Sequence, residues 1–183
     1  MRNILLCGVW LVCLAALAWA TPSTTYWTTC TMDIQAPGTT HLTTDNYFTI
    51  GKDAPGLALG VFNVGTKRGA TNQNIFHLMV GKTIPGVGRL TVSGYIGNRE
   101  VLKSSDGETE AHGFMVAWDR WVKEGKIMLA ADYASGKNAI GGGGVGVYFF
   151  FNKDTDLLVG PVWFNDKGLN GKMKWTTQID VNF

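Results

Sequence analysis

The sequence predicts an all-β protein, a closed antiparallel up-and-down transmembrane β-barrel of about ten strands. Three observations carry that prediction. Apolar and polar residues alternate with a period of two along most of the chain, and helical spacing hardly occurs. The links between alternating stretches tend to be short and long by turns. The acids within the stretches all fall on one face, opposite the greasier one. Composition agrees with a single folded domain: the chain has 183 residues, and 45% hydrophobic is too rich for disorder. Its 24 glycines follow no three-residue period, which excludes collagen. With 16 basic residues against 14 acidic ones and no basic run, nothing points to nucleic acid as a partner.

The ten expected strands are 24–35, 39–50, 57–65, 74–84, 88–98, 113–123, 126–136, 140–151, 156–165 and 174–183, each ending near a turn signal. These lengths suit a tilted strand crossing a bilayer, which needs about 9–11 residues. Links after the even strands are short: "KDAPG", "PGVG", "EG" and "NKDT". Links after the odd strands include the long ones, "GTKRGATNQ", "NREVLKSSDGETEAH" and "NDKGLNGKMK". Two odd links, "APG" at 36–38 and the "GKN" region at 136–138, read as short as well. Short turns at one end and longer loops at the other are a feature of membrane barrels. A soluble sandwich gives no reason to sort loops this way.

Charge placement tests the idea, because a lysine or arginine facing lipid costs about 2–4 kcal/mol at the midplane and little at the interfaces. Leu90, Val92, Gly94 and Ile96 share a face opposite Arg89, Thr91, Ser93 and Tyr95. Phe114, Val116, Trp118 and Val122 oppose Met115, Ala117, Asp119 and Trp121. Ile127, Leu129, Ala131 and Tyr133 oppose Met128, Ala130, Asp132 and Ala134. With the greasier parity outward, Asp33, Asp45, Asp119, Asp132, Asp156 and Asp180 all point inward. Only Lys82 and Arg120 fall outward, both near short turns where they reach headgroups. The hairpin "WVKEGKIM" is expected to turn on Glu124-Gly125, pairing Lys123 with Lys126 and Val122 with Ile127.

Some positions resist the scheme. Leu57, Leu59 and Val61 lie on one parity, Phe62 and Val64 on the other, and Asn46 faces outward. Leu158, Val162 and Phe164 point inward, and Pro161 interrupts a ladder. Aromatic residues fit better: Tyr26, Trp118, Tyr133, Trp163, Trp175 and Phe183 fall outward and toward strand ends, as interfacial girdles require.

The first residues, Met1-Arg2-Asn3 followed by "ILLCGVWLVCLAALAWA", read as a secretory signal peptide at 1–20, leaving a barrel domain at 21–183. Cys7 and Cys13 depart with it, and a lone Cys30 makes neither an internal disulfide nor a zinc site.

The leader, the alternating strands and the terminal "WTTQIDVNF" together resemble a Gram-negative outer-membrane β-barrel of porin-like type. The segment "AADYASGKNAIGGGGVGVYFFFNKDTDLLVGPVWFNDKGLNGK" is similar to the closing hairpins of such proteins. The resemblance implies export to the outer membrane, lipid as surroundings, and recognition by the barrel-assembly machinery. That machinery would read Trp175, Ile179, Val181 and Phe183 on the last strand, which would then pair with the first.

Activity has to be argued from a site rather than a fold. Inward Asp45, Arg89, Asp119, Asp132 and Asp180 either line a narrow pore or lock together as a plug of ion pairs, and a small lumen favours the plug. Glycines at 142, 144 and 146 either open room in the lumen or let the sheet turn a corner. The reading is a non-enzymatic barrel without cofactor or metal, acting as a narrow channel or as a structural and surface-binding protein. The alternatives are a lipid-modifying or proteolytic outer-membrane enzyme and a soluble secreted ligand-binding barrel. For an enzyme, His41 with Asp45, His77, and His112 beside Ser104 and Ser105 are the candidates, though no spacing demonstrates a dyad. The acidic loop with Asp106, Glu108 and Glu110 reads as solvated.

Overall fold

The computed structural model describes residues 42–49, 55–65, 67–152 and 155–181, with backbone alone for 42–49, Ala58, Asp180 and Val181. Strands β1 (Leu42–Thr49), β2 (Gly56–Val64), β3 (Ile75–Ile84), β4 (Gly88–Ile96) and β5 (His112–Lys123) come first. They are followed by β6 (Ile127–Ala134), β7 (Gly142–Phe150), β8 (Thr155–Phe164), a one-turn helix α1 (Lys167–Asn170) and β9 (Lys174–Val181). The nine strands form one antiparallel sheet whose spatial order is the chain order. All nine coincide with expected strands to within a few residues. The strand expected at 24–35, the leader, Tyr26, Cys30, Asp33, His41 and Phe183 lie outside the described residues. Among the described residues β1 pairs only with β2 and β9 only with β8, so the sheet is up-and-down but not closed on itself.

The connections sort by end more cleanly than the sequence suggests. One rim carries 85–87, 124–126 and 151–154, and the other carries 65–74, 97–111, 135–141 and 165–173. The "GKN" link is therefore the centre of a full loop. Gly86 and Gly125 sit in tight turns at φ 78° and 62°, the left-handed region that glycine enters without a Cβ penalty. At the β5–β6 turn the expected register holds up to Trp121↔Met128, and the Lys126 amide donates to the Lys123 carbonyl at 3.0 Å. The register then slips, placing Lys123 opposite Ile127 and leaving Val122 as an extra residue. This is a β-bulge beside the turn, which a two-residue-turn reading does not contain.

Burial alternates strictly along β6 and β8 and over much of β3 and β4. No second layer covers either face of the sheet in the described residues, so one face becomes buried only if the sheet curls around it. That face holds Met128, Ala130, Tyr148, Leu158, Val162 and Phe164 in one cluster, with Trp121 and Phe150 against it. The other face is apolar and exposed: Phe76, Leu78, Val80, Leu90, Val92, Ile96, Phe114, Val116, Trp163, Trp175 and Ile179 all lie open. Val92 is 58% exposed in the middle of β4, whereas Asp132 on the inner face is 7% exposed. A protein folded in water arranges these the other way round.

The misfit apolar residues of β8 now have a role. Leu158, Val162 and Phe164 form the interior packing of the curled sheet. Of the inward glycines expected at 142, 144 and 146, Gly142 is a close-approach position, and so is Gly143 on the outer face. A Cβ on Gly143 would stand 2.5 Å from the Asp132 carbonyl oxygen and 3.1 Å from the Trp163 ring, and one on Gly142 would strike the Trp163 carbonyl.

Candidate functional site

The interior of the curled sheet is the candidate site, and its two ends differ. Toward the short turns, Arg89 of β4 lies directly opposite Asp119 of β5. The Arg89 Nε donates to Asp119 Oδ2 at 2.6 Å, with both side chains largely buried. Charge-assisted bonds of this length are among the stronger ones in proteins. A cavity of about 280 Å³ adjoins the pair, lined by Thr83, Gly88, Arg89, Asp119, Arg120, Trp121 and Met128. Trp121 and Phe150, from strands that are not neighbours, meet with ring centroids 4.8 Å apart, and Tyr148 stacks on Phe150 at 5.9 Å. Aromatic bulk therefore reaches across the interior at this end.

Toward the long loops the interior is covered. Leu102 and Ala111 from the 97–111 loop and Ile140 from the 135–141 loop pack with Phe62, Ile75, Tyr95, Met115 and Ala134 of the strands. Tyr95 donates its hydroxyl proton to the Ser135 carbonyl at 2.7 Å. Fully buried Asn138 donates to the Tyr95 oxygen at 3.0 Å and to the Glu110 carbonyl, and accepts from the Ile140 amide at 3.0 Å. Asn165 donates to the carbonyls of Ala134 and Gly136 at 2.9 and 2.8 Å.

Asp166 clasps two loops together. As the N-cap of α1 it accepts from the Gly168 and Leu169 amides, and it also accepts from the Ser105 amide at 2.7 Å and the Ser105 hydroxyl at 2.9 Å. These donors, the Ser105 amide first among them, hold its carboxyl below the usual carboxylate range. The 97–111 loop, expected as solvated, thus has exposed Asp106 and Glu108 on a segment whose Leu102 and Ser104 are buried.

The predicted site residues are only partly brought together. Arg89 and Asp119 form the ion pair, and Asp132 is buried on the same inner face. Asp180 lies opposite Asp156 in the β8–β9 ladder and Asp45 lies in β1 opposite Gly60, both described by backbone alone. Of the proposed assembly residues, Trp175 and Ile179 are 72% and 67% exposed on the outer face, and Val181 ends β9. The enzyme candidates with described side chains do not converge. His77 is buried against the Phe62 ring, His112 is exposed at the start of β5, and Ser105 is bonded to Asp166. Among the described residues no group of three His, Cys, Asp or Glu side chains is placed to hold a metal, and no helix is long and apolar enough to cross a membrane. Sequence reasoning missed the Asn138, Asn165 and Asp166 network. Asp166 three residues before Leu169 is a helix N-cap pattern, the one local signal that pointed there. No protein-family model matches the chain, and neither the curated proteins nor the solved structures include a significant match to it.

Proposed function

We propose that the chain is a non-enzymatic, integral outer-membrane β-barrel with a filled interior, acting as a structural or surface-binding element rather than as an open channel. The observation that carries this is the inversion of faces. Large apolar side chains stand exposed all over one face of the sheet, while Asp119, Asp132 and Asp156 are buried on the other. Water gives no reason for that arrangement, and hydrocarbon does. Ring closure belongs to the same proposal, with the strand expected at 24–35 supplying the missing neighbour of β1 and β9. Export through a cleaved leader and assembly through the last strand follow from the same reading.

Filling is supported by the aromatic bulk at the turn end and by the loop residues packed over the other end. Planar-bilayer recording of the purified full-length protein tests it. Wild-type protein is expected to give no conductance steps at moderate voltage. Reproducible steps of uniform size would refute the filled interior and favour the channel. Release of the protein from membranes by alkaline wash without detergent would refute membrane integration itself.

A further inference from the structure

The outer face carries two cations that the apolar band does not explain. Lys82 of β3 and Arg120 of β5 are exposed and flank one strand, β4. Leu90 lies between them: it pairs with Lys82 on one side and with Trp118 on the other, and Arg120 follows two residues beyond Trp118. No Asp or Glu lies on the outward positions of β3 to β8, and neither the Lys82 nor the Arg120 side chain makes a hydrogen bond or ion pair with another described residue. The Trp118 indole is already committed, donating to the Val87 carbonyl at 3.0 Å, and it stands as a fixed wall beside the turn. Cations this near the rim cost little once they reach the headgroup layer, and an anion is what they meet there.

We propose that Lys82 and Arg120 together hold the phosphate of one glycerophospholipid in the leaflet at the turn end. This rests on the membrane reading above. Their strands are two sheet spacings apart, about 10 Å, and Arg120 is offset two residues, about 7 Å, toward the turn, so the two Cα atoms stand about 12 Å apart, a gap that two long side chains converging over Leu90 can close on a single phosphate. Arginine and lysine then play complementary parts, a planar fork and a mobile point charge. The surrounding Val80, Leu90, Val92 and Leu129 are apolar, so the phosphate comes with acyl chains attached and not from free solution.

Native mass spectrometry of the full-length protein tests the site. The protein is extracted in detergent with an equimolar mixture of phosphatidylglycerol, phosphatidylethanolamine and a phosphate-free diacyl glycolipid. Both phosphate-bearing lipids should be retained over the glycolipid. The K82Q/R120Q double variant should lower that retention about thirtyfold, each single variant about fivefold, and the loop-end control K103Q/K137Q by less than about twofold. The double variant should still migrate as a compact form before heating, which separates lost binding from lost folding. Equal retention of all three lipids, or a control loss matching that of the double variant, overturns the site while leaving the membrane reading intact. A protein that leaves the membrane in alkaline wash and holds no lipid of any class overturns both.

Discussion

Asp166 and Arg89 are single side chains whose removal has different consequences. Asp166 receives donors from two loops, and its carboxyl is held below its ordinary value of 3.8. A depressed carboxylate contributes stability that is fully present above the unfolded value and is lost as pH falls through the folded one. The loop clasp is therefore intact at neutral pH and opens only below that ordinary value. Protection of the Ser105, Gly168 and Leu169 amides, measured as exchange relative to the intrinsic rate at each pH, should stay high from neutrality down to mildly acidic pH and fall below it. Asp166→Asn should bring fast exchange to neutral pH; unchanged exchange in that variant would mean the clasp does not hold the loop. Arg89 acts through its partner. Replacing Arg89 by Met leaves Asp119 without its 2.6 Å donor in a largely buried setting, a change that costs about 3 kcal/mol in comparable pairs. R89M/D119L should recover most of that loss, because an apolar pair of similar volume has no charge to strand. Denaturant unfolding of the two single variants and the double variant forms the cycle. A double variant as unstable as R89M would show that the inner face needs the charges and not merely their mutual neutralisation.

Strands are where the two-faced pattern has its force, and a lysine scan of one row reads it directly. Val80, Val92 and Val116 face each other across β3, β4 and β5 on the outer side. Val92→Lys should cost about 2–4 kcal/mol in lipid, while Val122→Lys beside the turn should cost about 0–1 kcal/mol. Reversible unfolding in phospholipid vesicles measures both, and equal effects would mean that depth is irrelevant and the face is wet. The strands and their faces were legible in the sequence because the controlling pattern is local: a period of two, with carboxylates kept to one parity. The same alternation groups Arg89, Asp119 and Asp132 on one side, and the structure buries them there, opposite the exposed apolar residues. What was not legible depends on partners distant in sequence or on turn geometry. Ser105 and Asp166 are 61 residues apart, and nothing near either one announces the other. The bulge at Val122 arises where the strands meet the Glu124-Gly125 turn, and alternation alone does not register one extra residue. Leu158, Val162 and Phe164 looked like errors of parity because a polar interior was expected, and they are instead the packed part of it.

Closure decides whether the sheet belongs in a bilayer at all. Hydrocarbon offers no hydrogen bonds, and each unsatisfied backbone group there costs several kcal/mol. In β9 the groups facing away from β8 have no neighbour among the described residues, and β1 has the same vacancy on its far side. A ninth strand ends parallel to the first in an up-and-down sheet, whereas a tenth placed before β1 would run antiparallel to both of its neighbours. In the proposed barrel the alternating segment at 24–35, which lies outside the described residues, would supply that strand, and its sequence parity would then set Cys30 on the same side as Tyr26, outward. Cys30 is the one cysteine after residue 20, so it is a built-in reporter for the seam. Antiparallel neighbours bring facing Cβ atoms to about 4.5–5.5 Å, close enough for a disulfide after small adjustment. Single cysteines at Trp175, Thr177 and Ile179, which alternate along the outer face of β9, should therefore yield one strong intramolecular cross-link to Cys30 under mild oxidation. Cysteines at inward Thr176 and Gln178 should yield none. The linked species should run as a monomer on a denaturing gel and lose its altered mobility on reduction. Cross-links from the inward set alone would reverse the faces of the seam. Linkage only between molecules would mean that β9 pairs with another chain, and the sheet would then bury its edge by assembly instead of by closing on itself.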